Sequence, residues 1–350
     1  MSQAQGLQDG PYVLHEPQHS EAIWVCDGQM RPQRLATGKP LVAPCGEVGG
    51  FALNASNPVA PDALPQPRRW AAVSDIHGQS SLFMQLLKAH AVVDGAGHWQ
   101  FGDGVLVING DVFDRGPEQT EALWAIYRLQ QEAGRQGGSV QMVLGNHETL
   151  VLRGDLRYLH PKYHGVATLL QRRFQDLYGP DTELGQWLRS RATLLKLGDT
   201  LFLHGGVSAE LPHLSPELAG LNAKVRSHLG ESRASLKQDP VADWLYASMG
   251  PLWYRGYFNQ PRMPAKDVDA VLRHFGVQRL VVGHTTMPQI RSLYGGRVIG
   301  IDSDLKGGKN GELLLWEGGQ LLRGLLDGSR HPLLPGDDDG SKAIPPATGD

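Results

Sequence analysis

Several apolar segments of this chain stop abruptly at side chains that bind metal ions, and this recurring pattern constrains the fold more than any other feature. The first segment, residues 70–75, runs into the turn Asp75-Ile-His77-Gly78. Asp75 and His77 are two residues apart, so in an extended segment both side chains project from the same side. Further segments end in the same manner at Asp111, Asn146, His204 and His284. This repetition predicts an enzyme with a metal centre.

The composition argues against a nucleic-acid partner, which calls for an excess of basic residues, and against a membrane partner, which calls for a long apolar segment. The 350 residues include 33 Lys and Arg against 36 Asp and Glu, a formal net charge of -3, so we expect no nucleic-acid partner. No segment approaches the ~18 consecutive apolar residues of a membrane span, and we expect no membrane partner. The sequence as given carries no signal peptide at its polar N-terminus, which leaves a cytoplasmic or a periplasmic protein. Cys26 and Cys45 allow either two free thiols or one disulfide, and a disulfide would favour the periplasm.

The chain divides into three predicted parts. Residues 1–68 form a small β-rich segment, with strands at 12–14 and 22–26, a hairpin signal at Asp27-Gly28 and a linker at 54–67. Residues 69–330 form the catalytic domain. Residues 331–350 are acidic and rich in Gly and Pro, which predicts a disordered tail.

Strands and helices alternate in the second part, which predicts an α/β (α+β) fold with right-handed crossovers. Helices are expected at 80–91 and 118–133, and a mostly helical insertion at 150–195. The predicted strands are 70–75, 104–110, 140–144, 200–203, 279–282, 297–301 and 313–316, and the last two complete the sheet. The order of these segments alone predicts one parallel or mixed sheet.

The six ligand-type side chains all follow strand ends, where the turns of an open α/β sheet converge on one crevice. Their mixture of carboxylates, imidazoles and an amide oxygen suits Mn, Fe or Zn better than Ca or Mg. Six ligands exceed the needs of one tetrahedral ion, so we predict two ions that share a bridging carboxylate. Two such ions lower the pKa of a shared water and provide a hydroxide nucleophile near neutral pH.

Four further residues suit the rest of a phosphoryl-transfer reaction. His147 is placed to protonate the leaving oxygen, and Asp114 is suited to orient its imidazole and favour the protonated form. Arg115 and Arg255 suit the binding of phosphate oxygens, because guanidinium groups match these in geometry and charge. An isolated Asp-x-His or Asp-Arg-Gly is usually an ordinary turn. The prediction therefore depends on the ordered set of signals at strand ends.

Two other features have alternative interpretations. Asp302 either supports the metal ligands from behind or is an ordinary turn residue. Residues 153–158 either line a substrate rim or pack the helical insertion.

These motifs resemble those of the calcineurin-like metallophosphoesterases over roughly residues 70–325. The matching stretches are Asp75-Ile-His77-Gly78, Gly110-Asp111-Val-Phe-Asp114-Arg115-Gly116, Gly145-Asn146-His147-Glu148, His204-Gly205-Gly206 and Gly283-His284. The Asp-Arg-Gly and Gly-Asn-His-Glu motifs are similar to the phosphoprotein phosphatase branch. Residues 153–158 and 250–256 resemble the bacterial Shewanella-like phosphatases, which tend to act on phosphotyrosine. The Ser-Ala-Pro-Asn-Tyr loop of the eukaryotic serine/threonine enzymes is absent.

The resemblance implies a β-sandwich of two sheets flanked by helices. It also implies two metal sites: the first held by Asp75, His77 and Asp111, and the second by Asp111 as the bridge with Asn146, His204 and His284. It further implies that His147 is the proton donor paired with Asp114, and that Arg115 and Arg255 bind phosphate.

The resulting expectation is a phosphomonoester hydrolase that uses two metal ions, with Mn favoured over Fe or Zn. Its expected substrates are phosphoproteins or small phosphomonoesters, with a preference for phosphotyrosine. The runner-up is a dinucleoside polyphosphate hydrolase, similar to diadenosine tetraphosphatases, against which the N-terminal segment and the insertion argue. A nuclease is a weaker alternative, because it would need a basic groove and the balanced charge gives no sign of one. A non-catalytic metal-binding scaffold is the other alternative, and it would be expected to lack a metal ligand or the acid, whereas this sequence has all of them.

Overall fold

Two six-stranded sheets pack face to face in the computed structural model, which describes residues 6–211 and 217–336. The strands are β1 (Asp9–Glu16), β2 (His19–Cys26), β3 (Gln29–Leu35), β4 (Ala63–Leu64), β5 (Arg69–Val73), β6 (Val105–Asn109), β7 (Ser139–Val143), β8 (Leu194–Leu197), β9 (Thr200–Leu203), β10 (Arg279–Val282), β11 (Arg291–Leu293), β12 (Val298–Gly300), β13 (Glu312–Glu317), β14 (Gln320–Leu325) and β15 (Arg330–Pro332). The first sheet has the order β15-β14-β13-β5-β6-β7, and the second has β11-β12-β10-β9-β8-β4. The sandwich is confirmed, and the single sheet expected from segment order is wrong.

The alternation of side chains explains the two layers. Trp70 and Ala72 of β5 pack between the sheets with Phe202 of β9 and Val281 of β10, whereas Val73 packs on the outer side. Strands buried on both faces are apolar throughout. A continuous apolar run therefore cannot distinguish a sheet covered by helices on both faces from one covered by a second sheet, which is why segment order failed.

Helices cover the outer face of each sheet. They are α1 (Ser80–Ala89), α2 (Gln119–Arg135), α3 (Asn146–Leu152), α4 (Pro161–Leu170), α5 (Glu183–Arg189), α6 (Leu218–Ser227), α7 (Arg233–Leu236), α8 (Pro240–Leu245) and α9 (Ala265–Phe275). The helices α1 to α5 share an apolar core with the first sheet, and α6 to α9 share one with the second. The helices predicted at 80–91 and 118–133 are confirmed as α1 and α2. Within the described ranges, none of the helices combines the length and apolar character needed to cross a membrane.

The N-terminal segment forms its own antiparallel sheet, β1-β2-β3. The hairpin expected at Asp27-Gly28 is confirmed, with φ of 49° and 72° at the two positions, as a type I′ turn requires. Cys26 forms a disulfide with Cys45, so the paired state is present. The sheet packs on α2, where the Trp124 indole N–H donates to the carbonyl oxygen of Pro11 at 2.9 Å.

Strands also occur where the sequence predicted none. The strands β14 and β15 extend the first sheet beyond β13, so the expectation that 313–316 completes the sheet is wrong. Gly318 and Gly319, with φ of 57° and 83°, form the two-residue turn that pairs β14 with β13. The tail expected from residue 331 begins inside β15, which pairs with β14, and residues 337–350 lie outside the described residues. Within the expected linker, β4 pairs with β8.

Replacing Trp70 by Ala should lower the free energy of unfolding by about 3–5 kcal/mol. The Trp70 side chain is fully buried between the sheets, 5.2 Å from the ring of Phe202, so its removal leaves a cavity. Urea denaturation monitored by circular dichroism measures the loss. Trp316→Ala is the control, because Trp316 stacks on Trp70 at 6.3 Å but is only partly buried. Equal losses for the two variants would contradict a core centred on Trp70.

Candidate metal centre

Five turns from both sheets meet at one edge of the sandwich. They follow β5, β6, β7, β9 and β10, and they carry the six predicted ligands, Asp75, His77, Asp111, Asn146, His204 and His284. All six are buried, with 5% or less of each residue exposed. The backbone N–H of His284 donates to Oδ2 of Asp75 at 2.9 Å, which ties the second sheet to the first across the cluster. The structure therefore brings together all six predicted residues.

The turns are unusually sharp, because their ligand residues adopt left-handed backbone conformations. Asp75, His77, Asp111 and His284 have φ between 45° and 63°, a region that residues other than glycine rarely occupy. Such conformations cost about 1–3 kcal/mol each and concentrate at functional sites. A Cβ atom on Gly78 would lie 2.5 Å from the carbonyl oxygen of Gly116, so only glycine lets these two turns approach so closely.

Asp111 lies at the centre of the cluster. Its Oδ2 atom is 3.0 Å from Nε2 of His204, 3.7 Å from Nε2 of His77 and 3.8 Å from Nε2 of His147. Its Oδ1 atom accepts a hydrogen bond from the backbone N–H of His147 at 2.9 Å. The carboxylate thus belongs to two groups of ligand atoms, each within a 4.8 Å span: one with His77 and His147, the other with His204 and His284.

Hydrogen bonds to the backbone fix the imidazoles of His77 and His204. Nδ1 of His77 lies 2.7 Å from the carbonyl oxygen of Phe113, and Nδ1 of His204 lies 2.9 Å from that of Asn109. Because a carbonyl oxygen can only accept, each Nδ1 carries the proton and donates it. In a neutral ring this leaves the lone pair on Nε2, the atom next to Asp111. Burial lowers the pKa of His77 well below its ordinary value and so favours the neutral ring.

The charge and the unsatisfied atoms of the cluster fit a metal cation. Burial opposes a charge on His204, but the carboxylates of Asp111 and Asp75 outweigh it and raise the pKa of His204 to about 10. The same negative charge attracts a divalent ion. Nε2 of His284 is buried and has no hydrogen-bond partner within residues 6–211 and 217–336, as expected of a nitrogen that binds a metal. The Oδ1 atom of Asn146 lies 3.0 Å from Nε2 of His204, so an amide oxygen joins the same group.

Glu148 holds two of the ligand-bearing turns in register. Its buried carboxylate accepts backbone N–H groups from Gly145 at 2.7 Å, Val112 at 2.8 Å and Asp111 at 3.0 Å. A Cβ atom on Gly145 would lie 2.2 Å from Oδ1 of Asp111, so the two turns touch at this glycine. In the sequence, Glu148 was recognised only as part of the Gly-Asn-His-Glu motif, and no role was predicted for it. The signal was its position three residues into a helix, where a carboxylate reaches back to the preceding N–H groups.

His147 and Asp114 form the pair that the sequence predicted. Nδ1 of His147 lies 2.6 Å from Oδ2 of Asp114, and both residues are buried. Burial opposes the charged imidazole, but the nearby carboxylates of Asp111 and Asp114 outweigh it and raise the pKa of His147. Nε2 of His147 also lies close enough to Asp111 to bind an ion, a second role that the sequence analysis did not weigh.

Arg115 and Arg255 are exposed beside the cluster. Arg255 donates from Nη1 to the carbonyl oxygen of His284 at 2.6 Å, and the guanidinium of Arg115 lies 5.3 Å from the ring centre of Tyr158. Tyr158 lies 5.1 Å from the ring of His147, which favours the substrate-rim interpretation of residues 153–158. Trp253, which the sequence analysis did not select, lies 5.6 Å from the ring of His284. Its position within residues 250–256, the stretch that contains Arg255, was the signal.

Asp302 lies close to the candidate ligand Asp75 rather than in an ordinary exposed turn. It is buried, and its Oδ2 atom accepts a hydrogen bond from Oγ1 of Thr286 at 2.7 Å. Burial and the charge of Asp75 raise the pKa of Asp302 to about 8.

Comparison with known proteins identifies the family. Residues 68–288 match the calcineurin-like phosphoesterase family. The chain belongs to this family. It is similar to the crystal structure of a cold-active protein-tyrosine phosphatase from a psychrophilic Shewanella species, with a TM-score of 0.90 and 41% identity over 93% of this chain and 99% of that one. The expected metallophosphoesterase fold is thereby confirmed.

Curated relatives agree with the expected branch. The chain is 25% identical to Shewanella-like protein phosphatase 2 of Arabidopsis thaliana, over 66% of this chain and 70% of the relative. It is 29% identical to Shewanella-like protein phosphatase 1 of Plasmodium berghei, over 62% of this chain and 61% of the relative. The resemblance to the Shewanella-like phosphatases is confirmed.

Replacing Glu148 by Gln should lower the free energy of unfolding by about 2–3 kcal/mol, because an amide cannot accept from all three backbone N–H groups without turning its own N–H₂ toward them. Urea denaturation measures the change. Glu118→Gln is the matched control, since Glu118 is only partly buried and accepts from Ser81 alone within the described residues. A loss for Glu148→Gln no larger than for the control would show that Glu148 does not hold the turns.

Proposed function

We propose that the protein is a metal-dependent phosphatase that hydrolyses phosphomonoesters of proteins, with a preference for phosphotyrosine. The observation that carries this proposal is the pair of ligand groups that share Asp111, one of which includes His147, whose Nδ1 atom is hydrogen-bonded to Asp114. The named phosphatases among the relatives support phosphorylated proteins as substrates. The Shewanella neighbour, a protein-tyrosine phosphatase by name, supports the preference.

The proposed centre holds two ions. Asp75, His77 and Asp111 would hold the first, and Asp111 would share the second with Asn146, His204 and His284. Carboxylate, imidazole and amide donors favour Mn, with Fe or Zn as alternatives. When bound, such a pair activates water and neutralises phosphate oxygens.

The chain's own residues would bind the phosphate and place it. Both proposed phosphate-binding guanidinium groups lie at the exposed rim. Arg255 uses Nη1 to donate to the carbonyl oxygen of His284 and to Oγ1 of Thr285, and within residues 6–211 and 217–336 its Nε and Nη2 donors have no hydrogen-bond partner and can reach phosphate oxygens. Arg115 directly follows Asp114, the hydrogen-bonded partner of the proposed acid His147, and its own φ is 67°. The side chain of Arg115 therefore begins next to the proposed acid. Binding from two sides would orient the phosphorus toward the ligand cluster.

His147 would protonate the leaving oxygen. Asp114 is bound to Nδ1–H and so leaves Nε2–H as the proton to give, and the nearby carboxylates of Asp111 and Asp114 raise the pKa of His147, which favours the protonated ring. As the leaving group departs, Nε2 becomes neutral and Asp114 keeps the ring in orientation.

The disulfide is informative about the cellular compartment of the protein. Disulfides persist in oxidising compartments, so the Cys26–Cys45 pair supports the periplasmic alternative.

Replacing His147 by Asn should lower kcat by about 10²–10⁴-fold and leave the metal content unchanged, because the variant loses the proton donor and no proposed ligand. Steady-state kinetics with a phosphotyrosyl peptide and elemental analysis of the purified variant measure the two quantities. His164→Asn, on the exposed side of α4, is the control and should keep both. Full activity in the His147 variant would reject the acid, and a lost ion would make His147 a ligand instead.

With Mn present, the chain should turn over a phosphotyrosyl peptide with a kcat/KM about tenfold or more above that for diadenosine tetraphosphate. We expect this preference because the exposed rim offers guanidinium groups that suit a single phosphoryl group and aromatic surface that suits its leaving group. Phosphate release from each substrate gives the ratio. A clear preference for the dinucleotide would overturn the proposed substrate class while leaving the metal centre intact.

A further inference from the structure

One exposed aromatic side chain stands at the rim of the metal centre. Tyr158 is 39% exposed, and it is the only aromatic residue among the strongly exposed large hydrophobic side chains of the described ranges. Its ring centre lies 5.1 Å from that of His147 and 5.3 Å from the guanidinium carbon of Arg115. A single exposed aromatic side chain is not unusual by itself. The position of Tyr158 beside His147 and Arg115 is what places its ring within reach of a substrate bound at the rim.

The segment that carries Tyr158 is held in place. Arg157 donates to both carboxylate oxygens of Asp155, at 2.8 Å and 2.7 Å, and Arg153 donates to the same carboxylate at 3.2 Å. The backbone N–H of Arg115 donates to the carbonyl oxygen of Tyr158 at 3.0 Å. The backbone that carries the ring is therefore held before a substrate arrives, which lowers the conformational entropy lost when the ring makes a contact.

The position of the ring relative to the proposed acid defines what it would touch. Under the proposed function, His147 gives its proton to the leaving oxygen, so the atoms bonded to that oxygen lie next to His147. Tyr158 contacts the same imidazole from the rim. A phenyl ring attached to the leaving oxygen would reach Tyr158 and bury apolar area against it, whereas the single methylene of a serine would not.

We propose that Tyr158 is the specificity-determining residue that makes the site prefer aryl over alkyl phosphomonoesters. This inference rests on the proposed function and adds the residue responsible for the substrate preference. The exposed guanidinium of Arg157, 5.9 Å from the ring centre of Tyr158, provides a second planar surface next to it. The aryl group would pack on this pair of planar side chains at the rim.

A purely structural role for Tyr158 makes a different prediction. If the ring served only to position Arg115, its loss would weaken phosphate binding for every substrate alike. If it instead contacts the leaving group, its loss penalises aryl substrates selectively. The ratio of kcat/KM between two peptides of identical sequence, one with phosphotyrosine and one with phosphoserine, separates the two roles and cancels any general damage.

The test compares this ratio in the wild-type chain and in the variants Tyr158→Leu, Tyr158→Gln and Tyr158→Phe, all loaded with Mn. The two variants without a ring should lower the ratio about threefold to tenfold, the range of an aromatic pair contact. Tyr158→Phe keeps the ring and should keep the ratio. Thermal unfolding and metal content verify that each variant folds. If Tyr158→Leu does not fold, Tyr158→Gln takes its place in the comparison.

Parallel losses for both peptides, or an unchanged ratio in the non-aromatic variants, would overturn this inference and leave the proposed function standing. A lowered ratio in Tyr158→Phe as well would assign the effect to the hydroxyl and contradict the packing contact. A wild-type chain that hydrolyses neither peptide would overturn the proposed function and this inference with it.

Discussion

The carboxylate of Asp111 is the contact on which the rest of the site depends. Its Oδ2 atom faces the imidazoles of His77, His147 and His204, and its Oδ1 atom accepts the backbone N–H of His147 at the start of α3. A buried carboxylate in a site of low dielectric is stable only when cations or hydrogen-bond donors surround it. Two metal ions sharing this group would meet that requirement.

The packing of the two sheets brings these side chains together at one edge of the sandwich. The parallel strands β5, β6 and β7 end at one edge of the first sheet, and β9 and β10 end at the same edge of the second. Neither sheet alone carries the full ligand set. The left-handed turns at Asp75, Asp111 and His284 are strained, and the packed sheets on either side hold them in place. The stability of the core therefore maintains the backbone conformations that position the candidate ligands.

The sequence was sufficient to predict which six side chains meet at this edge, because each follows a strand, and strand ends can be recognised where an apolar run stops at a polar side chain. It was insufficient for the layering, since Trp70 and Val73 are equally apolar although one faces the other sheet and the other faces helices. Tyr158 and Trp253 lay within segments that the sequence singled out, 153–158 and 250–256, but their individual roles could not be predicted, for a different reason. Their contacts with His147 and His284 join residues far from any periodic pattern, and only the folded chain brings them together.

We propose that Asp111 joins two metal sites in one centre. Elemental analysis of the Mn-reconstituted chain, after removal of loosely bound ions, counts the ions directly. We expect two ions per chain in the wild type, and a loss of both when Asp111 is replaced by Ala, because each site then lacks its shared ligand. One ion per chain in the wild type, or two ions retained without the Asp111 carboxylate, would show that Asp111 does not bridge two sites.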